Sequence, residues 1–530
     1  MEQQRRKYPV GIQTFSRIIK DGLVYVDKTD LVWNLAHDAK YAFLSRPRRF
    51  GKSLLTTTLE SYFKGEKELF CGLKIMEMEE DWTQYPTFHF DLSTTKHLDG
   101  DEVRSELGLQ LDRYEAIYGA NPKETTPGMR LGGLIMRAYA QTGLQVAVIV
   151  DEYDAPLLDV LQEDSRLDIM REILQEFYQR LKACEQYIRF CFITGITKFS
   201  QLSIFSTINN MSNLTLDPQY SAICGITEEE LCTVLRQDVE MLAEVYGISP
   251  REMHAKLKLQ YDGYHFSEDS PEVYNPFSLL KCFQRKKLDS YWFESGTPTY
   301  LIRQLQHFGT DITSLEKLEV PAGAFDQPTE NMRNALPLLY QSGYLTIKDY
   351  DREAMTYTLS FPNEEVRTGY VKGLLPIYSG LDDAQVQTGF ALKFWRALKS
   401  GNIDLAMRHM QAYLAGIPYV EGFKKKLEEA ATREGFYEYT FYLIFSMLNI
   451  YVRTQVKVAG GRVDMVVFMP EEIIVMELKV GGSAEEALRQ IDEKGYADAF
   501  QSDHRRIVKV GVNMNSNTRT IEDWLIATHP

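Results

Sequence analysis

The stretch FLSRPRRFGKSLL, residues 43–55, carries the second half of a phosphate-binding loop, which reads G-x-x-x-x-G-K-[ST]. Gly51, Lys52 and Ser53 supply that half, while Arg46 stands where the first glycine belongs. In such a loop the lysine reaches the β- and γ-phosphates of a nucleotide and the serine hydroxyl reaches Mg²⁺. Arg46, Arg48 and Arg49 concentrate positive charge beside them, and Pro47 stiffens the entry. Downstream, the apolar run QVAVIVDEYD ends in Asp151 and Glu152. That order suits one acid holding Mg²⁺ at a strand's C-terminal edge and the next activating the attacking water. A third run, IRFCFITG, ends at Thr194 and Gly195; Thr194 could sense the γ-phosphate or simply cap the strand. Asp154 reads as a helix-capping acid rather than a catalyst.

A second set of residues suits phosphodiester hydrolysis, which needs carboxylates for divalent cations and a group that orients water. GRVDMVVFMPEEIIVMELKV places Asp464 on one strand and Glu477-Leu478-Lys479 on the next. Residues two apart on a strand share a face, so Glu477 and Lys479 project together and Leu478 faces the core. Asp464 joins them if the two strands pair. Glu438, on a preceding helix, is a further candidate acid. Gln490 and Lys494 lie i, i+4 on the following helix, with Tyr496 close by. The runs KKK at 424–426 and HRR at 504–506 could contact phosphates or be solvated surface.

These residues need elements to hold them. KYAFLS reads as a buried strand and GKSLLTTTLESYF as a helix, so Lys52 sits at a strand-to-helix turn, where unpaired N–H groups and the helix dipole favour anions. TFHFDLS, QVAVIVD and IRFCFITG add strands, separated by helices near 101–118 and 164–183. Alternation of this kind predicts a parallel α/β sheet over residues 1–210. Residues 211–385 read as a helical connector; LPLLYQSGYLTIKDYDREAMTYTLSF, 336–361, predicts a helix and a β-hairpin in a winged-helix-like unit. Over 386–530 the order is α-β-β-β-α-β, with AGG at 459–461 as a hairpin turn.

A chain of 530 residues exceeds one core, so an α/β multidomain protein is expected. The net charge of -15 confines any nucleic-acid contact to a local site. No apolar run is long enough for a membrane span and the N-terminus lacks a signal-peptide core, so the cytoplasm is expected. Six cysteines without C-x-x-C spacing read as reduced, buried thiols. The nine histidines show no metal-ligand spacing, so a structural zinc is not expected.

YVDKTDLVWNL, FLSRPRRFGKSLL, VIVDEYDAPL and FITGITKFSQLSIFSTINN, followed by YDGYHF, VYNPFSLL and LYQSGYLTI, resemble AAA-ATPase-like proteins with a C-terminal PD-(D/E)XK nuclease-superfamily domain. The resemblance spans nearly the whole chain. It implies that R-P-R-R-F-G-K-S is the family's usual phosphate loop and that Asp27-Lys28-Thr29 lies near the nucleotide. Arg46, Pro47, Arg48, Arg49, Phe50, Gly51, Lys52, Ser53, Leu54, Asp151 and Thr194 are then the expected ATP site, with Mg²⁺ on Ser53 and Asp151 and Glu152 as catalyst. In the C-terminal domain it implies Mg²⁺ on Asp464 and Glu477, Lys479 positioning water or stabilising charge, and Glu438 and Gln490 as the recurrent helix residues. The expected partner is nucleic acid, DNA ahead of RNA, with no membrane; a homo-oligomer is compatible.

Overall fold

The computed structural model describes residues 6–93, 99–161, 163–198, 211–293, 308, 315, 317–328, 332–379, 384–416, 437–438, 440–442, 444–445, 451–458, 461–515, 518 and 520–528. The chain forms two compact units, Met1–Glu294 with Lys317–Glu365, and Ser295–Glu316 with Val366–Pro530.

In the first unit, α1 (Phe15–Lys20) and α2 (Thr29–Asp38) precede β1 (Tyr41–Ser45), and α3 (Lys52–Phe63) follows it. Next come β2 (Thr87–Asp91), α4 (Gly100–Tyr118), α5 (Pro127–Thr142), β3 (Val146–Asp151), α6 (Ala155–Asp159), α7 (Asp164–Ala183), β4 (Ile188–Gly195) and the short β5 (Ser212–Asn213). The five strands form one parallel sheet in the order β2-β3-β4-β1-β5. All six residues of β3 are buried because helices cover both faces. On one face Phe43, Phe90, Val148, Val150 and Ile193 pack with Leu107, Leu134 and Phe177 of α4, α5 and α7. On the other, Phe63 of α3 stacks on Phe190 at 4.9 Å. The carboxyl ends of β3, β4 and β1 are therefore neighbours.

The same unit carries a helical layer: β6 (Ile226–Thr227), α8 (Glu228–Thr233), α9 (Arg236–Tyr246), α10 (Pro250–Tyr261), β7 (Val273–Tyr274) and α11 (Pro276–Arg285). EEELCTVLRQDVEMLAEVYG forms two helices, broken at Val234–Leu235. Capping boxes at Thr227 and Ser249 fix the starts of α8 and α10. Leu336–Gln341 is the expected helix, and β9 (Thr346–Asp351) with β10 (Thr356–Ser360) the expected hairpin; β8 (Leu318–Pro321) adds an unforeseen third strand on β10.

The second unit holds the helices Ala384–Lys399 and Ile403–Ala415, with Phe390 stacked on Tyr413 at 4.1 Å. A mixed sheet follows: β11 (Tyr451–Val458), β12 (Gly461–Phe468), β13 (Glu472–Val480), β14 (Arg506–Met514) and β15 (Ile521–Thr528), ordered as numbered. Val458 pairs with Gly461, closing the expected hairpin. The helix Ala484–Glu493, capped by Ser483, connects β13 to its parallel neighbour β14, and β15 extends the expected order. No helix among the described residues is long and apolar enough to cross a membrane.

Candidate functional site

The loop between β1 and α3 turns on two left-handed residues, Arg49 (φ 67°) and Gly51 (φ 95°). Glycine takes this conformation freely; an arginine there needs support. Side chains provide it. Arg46 is fully buried, donates to the carbonyls of Ser45 (3.0 Å), Thr215 (2.9 Å) and Tyr220 (3.3 Å), and lies 4.1 Å over the Phe266 ring. Burial lowers its pKa to about 10, which leaves it cationic at neutral pH. Phe50 meets Tyr264 and Phe266 edge-on, at 4.6 and 5.3 Å. Pro47 packs against Gly343 so closely that a Cβ on that glycine would sit 2.6 Å away. YDGYHF and LYQSGYLTI thus form the bed of the arginine-rich loop.

Lys52, also buried, donates to the carbonyls of Arg46 (3.1 Å) and Pro47 (3.2 Å) and pairs with Glu152 at 3.3 Å. Glu152 has a left-handed backbone, φ 48°, a conformation costing roughly 1–2 kcal/mol for a residue with a Cβ. Asp151 is buried at the end of β3, bonded to Ser53 and 3.4 Å from Thr56 Oγ1; burial and then the charge of Glu152 raise its pKa to about 6. A buried carboxylate facing a second acid and a serine hydroxyl is a donor set that suits Mg²⁺.

A cavity of about 750 Å³ opens here, lined by Arg48, Arg49, Gly51, Lys52, Ser53, Leu54 and Glu152, by Pro9–Gln13, and by Ile196, Phe277 and Leu280. Arg46, Pro47, Phe50, Asp151 and Thr194 are not among its lining residues. Arg46 serves the loop's shape, because its guanidinium is committed to carbonyls. Thr194 is buried and donates to the carbonyl of Leu44 at 2.7 Å, tying β4 to β1. Asp154 occupies the N-cap position of α6 but makes no cap bond; it instead accepts from the Thr197 amide and hydroxyl, both at 2.6 Å, and from the Ile196 amide. Asp27 accepts from the Thr29 amide and hydroxyl and from the Lys74 amide, while Lys28 pairs with Glu230.

In the second unit, β12 and β13 pair only between Met465–Phe468 and Ile473–Met476. Beyond Met465 and Met476 the carboxylates replace ladder partners: the Leu478 amide donates to Asp464 Oδ2 (2.8 Å) and the Asp464 amide to Glu477 Oε2 (3.3 Å). Lys479 Nζ lies 3.7 Å from Glu477 Oε1, and Gln490 donates to that same oxygen. Gln455, with φ 49°, interrupts β11 and donates to Glu438 Oε2 (2.8 Å) and toward Asp464 Oδ1 (3.5 Å). All five predicted residues are therefore gathered, and Gln455 is a member that no motif had marked. Burial and then the charge of Asp464 raise the pKa of Glu477 to about 8. Two carboxylates this close, one nearly fully buried, fit a divalent cation that would neutralise them.

Other expectations change. Arg505 and Arg506 of the HRR run pair with Asp503 and Glu472; KKK at 424–426 lies outside the described residues. Cys71 and Cys232 are exposed, whereas the other four thiols are buried, and all six are unpaired.

Two domain families match the chain, one over each of these sites. The family described as Predicted AAA-ATPase matches residues 9–205, and the PD-(D/E)XK nuclease superfamily matches 432–524. A protein of Azotobacter chroococcum mcd 1, described as an uncharacterised protein in the vnfD 5′ region, is 33% identical over 533 residues, covering 98% of this chain and 99% of its own. A solved Signal Transduction ATPase with Numerous Domains (STAND) protein with a tetratricopeptide repeat sensor, from Pyrococcus horikoshii, is 14% identical with a TM-score of 0.25, covering 80% of this chain and 52% of that one. The chain thus spans about half the length of that solved structure. With both domain matches in order and a relative aligned end to end, the chain belongs to the family of predicted AAA-ATPases that carry a C-terminal PD-(D/E)XK nuclease-superfamily domain.

Proposed function

We propose that the first unit binds and hydrolyses ATP and that the second is a Mg²⁺-dependent nuclease acting on nucleic acid, DNA ahead of RNA, under nucleotide control. The observation that carries this reading is the double convergence: Lys52, Ser53 and Glu152 on one cavity, and Asp464, Glu477 and Lys479 within one hydrogen-bonded cluster. Lys52 and Arg48 would bind phosphate oxygens, the apolar lining suits a base, and Glu152 would polarise water. Ser53 with Asp151, and Asp464 with Glu477, would hold Mg²⁺. Bound there, the cation supplies charge neutralisation at the transferring or scissile phosphate.

Two arginines of the loop separate by role. Arg46→Ala removes three charge-assisted bonds from a buried loop and is expected to cost roughly 3 kcal/mol of stability. Arg48, exposed at the cavity, should tolerate alanine with an unchanged melting temperature and lose ATP affinity about tenfold. Thermal melts and ATP titration of both variants check the distinction.

Nucleotide control would run through Arg49. Arg49 lines the cavity, donates to the Tyr291 carbonyl at 2.6 Å and lies 4.0 Å over Phe277. The amides of Tyr291 and Trp292 donate to Glu365, buried in the first turn of the helix Glu364–Ser379. The chain passes from the first unit to the second within this helix. A phosphate that draws Arg49 away would loosen the hold on Tyr291 and hence on Glu365.

The acidic net charge of -15 favours a second reading, a nucleotide-dependent switch whose nuclease fold binds DNA or a partner without cleaving it. Phosphate release by the parent and by Glu152→Gln tests the ATPase half of the proposal. Turnover by the parent and its loss in the variant are expected; equal rates would overturn Glu152's role.

A further inference from the structure

Away from both sites, Glu228, Cys232 and His254 form a cluster whose ligand atoms all lie within 4.8 Å of one another. Glu228 and Cys232 are i, i+4 on α8 and so share one helix face, and His254 of α10 points at both. His254 Nε2 is 2.8 Å from Glu228 Oε1 and 3.7 Å from Cys232 Sγ. The other oxygen of Glu228 accepts from the Tyr274 hydroxyl at 2.8 Å, which orients the carboxylate. Hydrogen-bonded orientation of a ligand is what metal sites use to fix their donors.

We propose that this cluster is a Zn²⁺ site that ties α8 to α10. Bonds of about 2.3 Å to thiolate and about 2.0 Å to imidazole at tetrahedral angles put sulfur and nitrogen roughly 3.6 Å apart, close to the separation seen here, while the hydrogen-bonded imidazole and carboxylate, 2.8 Å apart, would open to roughly 3.3 Å around the ion. One thiolate, one imidazole and one carboxylate select zinc over Mg²⁺ or Ca²⁺, which prefer all-oxygen donors. Cys232 is exposed, so the ion has access, and the fourth position would be left to water. Binding releases the thiol proton to solvent and leaves His254 neutral with its hydrogen on Nδ1. The site escapes detection along the sequence because its donors lie on two helices and lack the spacing of a zinc motif.

The full chain, stripped with chelator, is titrated with Co²⁺ and then with Zn²⁺. The expected result is a thiolate-to-cobalt charge-transfer band with tetrahedral ligand-field bands, saturating at one equivalent and displaced by Zn²⁺. Oxygen-ligand sites such as Asp464 and Glu477 give no such band. Cys232→Ser should abolish it, His254→Ala should weaken Zn²⁺ binding by ~100-fold or more, and Cys71→Ser should leave it unchanged. Circular dichroism of each variant verifies folding. Absence of the band in the parent, its survival in Cys232→Ser or its loss in Cys71→Ser would overturn the assignment.

Discussion

Lys52→Ala is expected to raise the dissociation constant for ATP by ~100-fold or more, the loss of one or two charge-assisted bonds worth roughly 3 kcal/mol. Lys52 is the cation that the loop holds ready: two loop carbonyls and Glu152 already receive its ammonium. Phosphate oxygens would take the place of those weaker partners. The variant also leaves Glu152 without its cation, so a modest fall in melting temperature accompanies the binding defect. Glu152→Gln separates the two effects. It keeps Lys52 and should bind ATP with little change while turnover falls by a factor of about 10²–10⁴, the usual contribution of a general base. Isothermal titration with ATP and phosphate release measure the two quantities; normal binding by Lys52→Ala would remove the phosphate loop from the account.

Glu477→Gln is expected to abolish metal binding in the second unit and to flatten the pH dependence of stability. The pKa of Glu477 in the folded protein, about 8, lies above its ordinary value of 4.5, so the folded chain keeps a proton that the unfolded chain releases between those values. The resulting stability is complete below about pH 4.5 and is lost as pH rises through about 8. Asp464 opposes ionisation of Glu477 and Lys479 partly offsets it. Mg²⁺ requires the ionised carboxylate, so it should raise the melting temperature of the parent more at about pH 8.5 than at about pH 6. The glutamine variant should show no Mg²⁺ response from this site and a smaller loss of stability between those pH values. Equal Mg²⁺ responses in parent and variant would contradict the assignment of Glu477 as a ligand.

The strands around both sites were legible because their chemistry is local. VAVIV is apolar up to Asp151, the pattern of a central strand covered on both faces. The Asp464 and Glu477-x-Lys479 pattern depends on the period of two in a strand, which the chain carries explicitly. Arg46 was harder to read. Its charge suggests phosphate, yet carbonyls from residues 45, 215 and 220 claim it, and those partners are set by tertiary folding. Asp154 misled for a related reason: it stands at a helix start, but the β4 end offers it three donors that the helix does not. Gln455 left no trace in the sequence, since its role follows from a single left-handed residue within a strand. The return of Lys317–Glu365 to the first unit after Ser295–Glu316 is likewise set by packing rather than by local sequence.

Strand cleavage by the full chain in Mg²⁺ tests the central claim most directly, with double-stranded DNA, single-stranded DNA and RNA assayed with and without ATP. The account predicts cleavage of DNA by the parent that changes when ATP is added. Asp464→Ala should lose cleavage under every condition, and Lys52→Ala should lose only the response to ATP. Undiminished cleavage by Asp464→Ala, or no cleavage of any substrate by a parent that binds and hydrolyses ATP, would contradict it.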